Sequence, residues 1–392
     1  MRHIDDNERR ARLAARHGIA ADHRLADPVA ATRAMTVLHA TEPPTVHLSL
    51  AARIDGLTTA DVDRALYGER SLVRQLAMRR TLFVFPRDLL PAAWGSASAR
   101  VATQEAGKIA RDVVRAGLAD DGHAWLAACE AEVLAALEGA PASTAELRQA
   151  VPRIDSRVTS GSGKWSSSSP IASRVLTWLG ARGVVVRGEN AGHWRLSRHA
   201  WTRVGDWLDP VPPALDEDQG YAELIRRWLA TFGPGTTRDI QWWLGATVSA
   251  VRRGLADVGA VEVSLDGGAT GWVLPDDVDE APAVAPWAAL LPVLDPTTMG
   301  WKERDFYLDP DDVPYLFDSN GNGGTTAWWD GRIVGCWVQD EAGRVEVVAR
   351  HQLPPEAGRA LAVEAERLGA WLDGTVINSV YASRQMKAER LP

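Results

Sequence analysis

The chain holds 392 residues, 46% hydrophobic and 24% charged, with a formal net charge of −8 at pH 7, which describes a globular protein of two or three domains rather than a disordered or fibrous one. No apolar run approaches the roughly 20 residues that span a bilayer, and the N-terminal MRHIDDNERR lacks a secretion-signal core, so a cytoplasmic protein without membrane attachment is expected. The only cysteines, Cys129 and Cys336, offer neither a disulfide framework nor a thiolate zinc site and are expected to be buried.

The charge is unevenly spread. Residues 1–208 carry 28 Lys+Arg against 22 Asp+Glu, and residues 209–392 carry 15 against 29. A basic front half can face phosphates while an acidic back half maintains solubility, although a chance asymmetry would look the same.

In chain order, the first stretch predicts helices over 28–40, 44–54 and 58–67, then a hairpin within SLVRQLAMRRTLFVFP. The segment TVLHATEPPTVHLSL, residues 36–50, sets His39, Thr41, Glu42 and His47 at a helix junction broken by Pro43 and Pro44. Next, HAWLAACEAEVLAALEG has apolar residues at helical spacing and stops at Gly139. STAELRQAV follows with a capping box from Ser143 to Glu146. SPIASRVLTWLGARG predicts a third helix closed by Gly183, and VVVRGENAGHWRLS a hairpin turning at Gly188–Gly192. GYAELIRRWLATFGP, TTRDIQWWLG and TVSAVRRGLADVG repeat the plan, with AVEVSLDGGATGWVLP as a hairpin tipped by Asp266, Gly267 and Gly268. Three helices and a β-hairpin make a winged helix, so three in tandem are expected. From Pro286 short β-rich runs predict a small barrel or curved sheet, followed by an amphipathic helix that Gly374 ends. The expected class is α+β, with winged helices in 1–122, 123–215 and 216–285, and a β-rich domain with a C-terminal helix in 286–392.

Several signatures fail. DSNGNGG opens like a calcium loop but has Trp329 where the bidentate Glu belongs, which favours a tight turn. GSGKW lacks phosphate-loop spacing, and no metal or cofactor site is expected. SRVTSGSGKWSSSSP suits an anion better. Arg157 and Lys164 add charge, and Ser166 to Ser169 are read as opening the third helix, although a flexible loop with a serine-rich cap is equally consistent. Arg79 and Arg80 at one hairpin, and Arg187 and Arg195 flanking another, suit phosphate contact, as would solvated surface arginines. Trp178, Trp228 and Trp243 lie on apolar helix faces and are expected in the core.

The three winged-helix patterns, RSLVRQLAMRRTLFVFP, GPGTTRDIQWWLG and LLPVLDP with WWDGRIVGCW resemble the AlkZ/YcaQ-like winged-helix DNA glycosylases, roughly from Arg24 to Leu372. The resemblance implies a C-shaped scaffold that cups duplex DNA and excises damaged bases, including alkylated purines and crosslinks, without a metal or a lyase lysine. The family's catalytic motif, Gln-x-Gln or Gln-x-Asp at the end of a first-domain helix, falls by its flanks on His39-Ala40-Thr41, where neither Gln is present.

Hydrolysis of an N-glycosidic bond passes through an oxocarbenium-like state, which needs a placed water and, for a neutral base, a proton. His39 can act near neutral pH with its ordinary pKa of about 6.5. Glu42 can be a base or a cation stabiliser, and Thr41 can hold water. Structural readings stand beside these: Thr41 as N-cap, Glu42 at the positive end of the following helix, His39 as a C-terminal helix charge, and His47 in packing. The expected function is a monomeric, monofunctional DNA glycosylase acting on double-stranded DNA that carries alkylated or deaminated bases. The alternative is a non-catalytic DNA-binding regulator or repair scaffold.

Overall fold

A computed structural model of the protein describes residues 1–160 and 167–389. The chain opens with strand β1 (His3–Ile4) and the helix Asp6–Arg16, whose first turn is capped by the Asp5 carboxylate.

Three helix–hairpin units follow. In the first, the helix Pro28–Ala34 leads to β2 (Leu38–His39), the helices Pro43–Ala51 and Thr59–Asp63, and the hairpin β3 (Leu72–Ala77) and β4 (Thr81–Pro86). The sheet order is β2-β4-β3. The predicted helix over 28–40 therefore ends early. Leu38 and His39 pair with Val84 and Phe83, which satisfies their backbone groups better than another helical turn running into Pro43 would.

The second unit runs from helix Gly122–Ala136 to helix Thr144–Ala150, with the predicted Ser143–Glu146 capping box in place. Strands β5 (Arg157–Ser160) and β6 (Ser167–Pro170) form an inserted hairpin before helix Ala172–Ala181. This corrects the expectation that the serine run opens the third helix: Ser167–Pro170 pair back onto Arg157–Ser160. The hairpin β7 (Val185–Asn190) and β8 (His199–Arg203) closes the unit. The return strand thus begins later than the sequence suggests. Trp201 and Thr202 enter the core, whereas Leu196 remains exposed.

The third unit has helices Glu217–Phe232, Thr237–Leu244 and Val248–Asp257 and the hairpin β9 (Val261–Leu265) and β10 (Thr270–Val273), with the predicted glycine tip. Strand β1 pairs parallel to β9. All three units share one detail. The segment between the first and second helices pairs with the second hairpin strand: Leu38–His39 with β4, Ala142 with Trp201, and Gly235 with Trp272. Trp178, Trp228 and Trp243 are buried, as are both cysteines. Gly220 lets the third unit approach the first, because a Cβ there would lie 2.7 Å from the Ala92 carbonyl oxygen.

The last module is an antiparallel sheet in the order β11 (Ala288–Leu291), β12 (Thr326–Trp329), β13 (Arg332–Gln339) and β14 (Val345–Ala349). It is open rather than a barrel, since its edge strands do not pair. The helix Pro355–Leu372 packs across it instead, placing Leu361, Leu368 and Leu372 against Leu290 and Trp337. Among the described residues no helix is long and apolar enough to cross a membrane.

A buried polar network ties this module to the units. Arg53 and Asp295, both 0% exposed, form a bidentate pair at 2.8 and 2.9 Å. Ser49 donates to Asp295 at 2.7 Å, and Arg53 donates to the Thr297 hydroxyl at 2.8 Å. His17 contacts Thr297 Oγ1 through Nδ1 (2.9 Å) and the Thr231 carbonyl through Nε2 (3.1 Å). Burial holds its pKa down to about 3. The ring is therefore neutral, Nε2 carries the proton for the carbonyl, and Nδ1 accepts from the threonine.

Candidate functional site

The site segment is the turn from β2 into helix Pro43–Ala51. After His39, the Ala40 N–H donates to the Leu82 carbonyl at 2.9 Å, which extends the pairing. Pro43 and Pro44 then start the helix, where a fixed φ and a missing N–H carry no penalty. The N-cap residue is Glu42 rather than Thr41, and its side chain makes no capping bond.

His39 is therefore a strand residue and not the end of a helix. Its ring is 5% exposed and lies 4.6 Å from the Phe83 ring, and neither nitrogen has a hydrogen-bond partner among the described residues. Burial first, and then the Arg79 charge, lowers its pKa to about 3. The imidazole is neutral throughout the physiological range, which removes the near-neutral titration expected of it from sequence.

Glu42 has a different environment. It is buried, and Oε1 accepts from the Ser379 hydroxyl (2.9 Å) and the Val380 N–H (2.7 Å). Oε2 is buried without a partner. Burial raises the carboxyl's pKa against these hydrogen bonds. Glu42 lines a cavity of about 230 Å³ together with Thr45, Trp337 and Gln339. The walls are fixed. Trp337 Nε1 donates to Leu291 O at 2.8 Å, and Gln339 bonds Gly343, Thr375 and Ile377 backbone groups. Thr41 is exposed between His39 and Glu42, and the two side chains contact different neighbours. His47 is packed away: it is 1% exposed, with Nε2 3.6 Å from Asp63 and its ring 5.0 Å from that of Trp194.

The basic residues divide into kinds. Arg79 and Arg80 both adopt positive φ in the β3–β4 turn, which sends them to different partners. Arg79 lies half-buried over the Trp242 ring at 4.1 Å, and burial, then Arg304, lower its pKa to about 10, so it stays charged. Arg80 is exposed, 3.3 Å from the Glu105 carboxylate. Arg157 is exposed on β5 and bonds Ser168. Lys164 and Ser166 lie outside the described residues. Arg187 is half-buried over Trp201 at 5.4 Å. Arg195, in the β7–β8 loop, donates to the Val376 carbonyl at 2.6 Å. Sequence reasoning missed Arg74, His199 and the Arg53–Asp295 pair. Arg74 breaks the apolar run LVRQLA, but nothing local says what it faces. No group of three His, Cys, Asp or Glu among the described residues could hold a metal ion.

The family model of the AlkZ-like DNA glycosylases matches residues 32–371 of this chain. Among solved structures, the DNA glycosylase AlkZ of Streptomyces sahachiroi is similar with a TM-score of 0.75 at 19% identity, over 94% of this chain and 98% of that one. No curated protein matches the sequence.

Proposed function

Because the chain belongs to the family of AlkZ-like DNA glycosylases, we propose that it is a monofunctional DNA glycosylase that hydrolyses the N-glycosidic bond of alkylated purines or deaminated bases in double-stranded DNA. In this reading the three helix–hairpin units are tandem winged helices over 1–122, 123–215 and 216–285. The protein works as a cytoplasmic monomer without a cofactor, and the duplex lies on the basic front half.

The observation that carries the reading is Glu42 Oε2, a buried carboxyl oxygen without a partner in the wall of a small cavity. A carboxyl whose pKa burial raises is suited to general acid work. Glu42 gives its proton to the leaving base as the C1′–N bond breaks and the base takes the bonding electrons. Water held by Thr41 adds to the sugar cation, and its proton returns to the Glu42 carboxylate. A cationic N7- or N3-alkylated purine leaves without that proton, so Glu42 matters most for neutral lesions. His39 is a neutral positioning residue that fixes the β2 end against Phe83. The burial of that ring also favours the second reading, a DNA-binding protein without catalysis.

The test is a panel of duplexes bearing N7-methylguanine, N3-methyladenine, hypoxanthine, uracil or a mustard crosslink, scored for alkali-labile abasic sites. Glu42→Gln should slow release of a neutral base by ~10²-fold or more and of a cationic base by less. Borohydride should trap no adduct. Binding without any abasic product would leave the non-catalytic reading, and a trapped adduct would exclude a monofunctional mechanism.

A further inference from the structure

We propose that Arg74, Arg187 and His199 form an anion notch between the first and second helix–hairpin units, and that it grips a backbone phosphate of DNA. Strand β3 packs against β7, which brings Arg74 on the first unit to Arg187 on the second. Each guanidinium is set by an aromatic side chain. Arg74 donates to the Tyr67 hydroxyl at 2.6 Å and lies 5.3 Å from its ring centroid, and Arg187 lies 5.4 Å from that of Trp201. His199 opens β8 with its ring edge-on to Trp201 at 5.0 Å. Its Nδ1 is 3.2 Å from Ser197 Oγ, and its Nε2 is buried without a partner.

This cluster lacks a counter-charge. Among the described residues neither Arg74 nor Arg187 forms an ion pair, whereas most other arginines of the front half do. Burial, and then the charges of Asp63 and Glu189, raise the pKa of the Tyr67 hydroxyl, and neither acid pairs with the two arginines. Asp63 faces His47, and Glu189 is exposed. Burial and then Arg74 lower the Arg187 pKa to about 10, and burial, Arg187 and Arg74 lower that of His199 to about 4. Two guanidiniums held together by aromatic walls repel each other until an anion sits between them. A phosphate offers two unesterified oxygens to two planar donor forks, and the free His199 nitrogen adds a third contact. The three residues are half-buried at the seam between the two units, where β3 packs on β7. The choice of DNA as the source of the phosphate rests on the function proposed above, but the anion site does not.

The test uses the full chain as wild type, Arg74→Gln, Arg187→Gln, the double variant and Arg187→Lys. Thermal unfolding in inorganic phosphate and in chloride, at matched ionic strength, reads the anion site without DNA. Affinity for an undamaged duplex against salt reads the DNA contact. Phosphate should raise the wild-type melting temperature and leave the double variant unmoved. Each Gln variant should bind duplex roughly tenfold more weakly and lower the salt slope by about one, which Arg187→Lys should restore. A phosphate response lost in the double variant with unchanged duplex affinity and slope would indicate a free-phosphate site and overturn the DNA assignment. Equal phosphate responses in all variants would overturn the notch. An absence of base excision with the expected salt slopes would remove the enzymatic reading and leave the notch standing.

Discussion

Protonating His39 should cost folding stability, and its surroundings set the size of the cost. The ring is buried on Phe83 without a partner for either nitrogen, and its pKa is about 3. An unfolded chain would give about 6.5. When a base has a depressed folded pKa, the unfolded state binds the extra proton. Stability is therefore complete above about pH 6.5 and falls as pH drops, levelling only near the folded value. Between pH 6 and pH 4 this one ring should remove ~2.5 kcal/mol, a large share of the roughly 5–15 kcal/mol that holds a typical native state. Urea unfolding of wild type and His39→Leu at pH 6, 5 and 4 isolates the effect. The packing change is the same at every pH, and His17 titrates equally in both proteins. The difference between the two proteins should therefore shift by ~2.5 kcal/mol towards His39→Leu as the pH falls. Parallel curves would show that the folded ring exchanges protons with solvent, and the neutral imidazole assigned to the site would be wrong.

Arg53→Met should destabilise the protein by about 3–5 kcal/mol, because it strands the Asp295 carboxylate in the core. Arg53→Met combined with Asp295→Leu should recover most of that loss in the same denaturation assay, and equal losses would show that the network acts by shape alone. Arg80→Ala should weaken binding to every duplex and lower the salt slope by about one, since Glu105 keeps its 2.8 Å pair with Lys108. A wild-type slope would move the duplex away from the β3–β4 turn.

What could be read from the sequence was local. The Ser143–Glu146 capping box, the glycine hairpin tip and the amphipathic C-terminal helix each depend on residues a few positions apart, and all three formed. Strand β2 could not be read that way. Two residues form it, and their partners lie more than forty positions later in β4. The serine run looked like a helix start because its competitor, the pairing with Arg157–Ser160, lies several positions earlier in the chain. Alternating strands likewise do not reveal whether a sheet closes, which depends here on the helix across its face. At the site, the sequence supplied the segment but not the environments: within two residues of the exposed Thr41, the chain buries His39 on one side and Glu42 on the other. Arg53 and Asp295 meet across 242 positions, beyond any pattern that spacing can carry.

The Arg53–Asp295 network also bears on how a duplex is received. It joins the helix carrying the site segment to the sheet module, and through Thr297 and His17 to Thr231 of the third unit, with nearly every polar atom satisfied. Parting these pieces would break the bidentate pair and the hydrogen bonds that satisfy it. The network therefore opposes a hinge at this junction. In the function proposed above, deformation on binding would then fall to the nucleic acid, with the duplex bending and the nucleotide leaving its stack. On that proposal, affinity should rise wherever a base pair is already loosened, and the sites in the duplex that yield most easily would be the ones held.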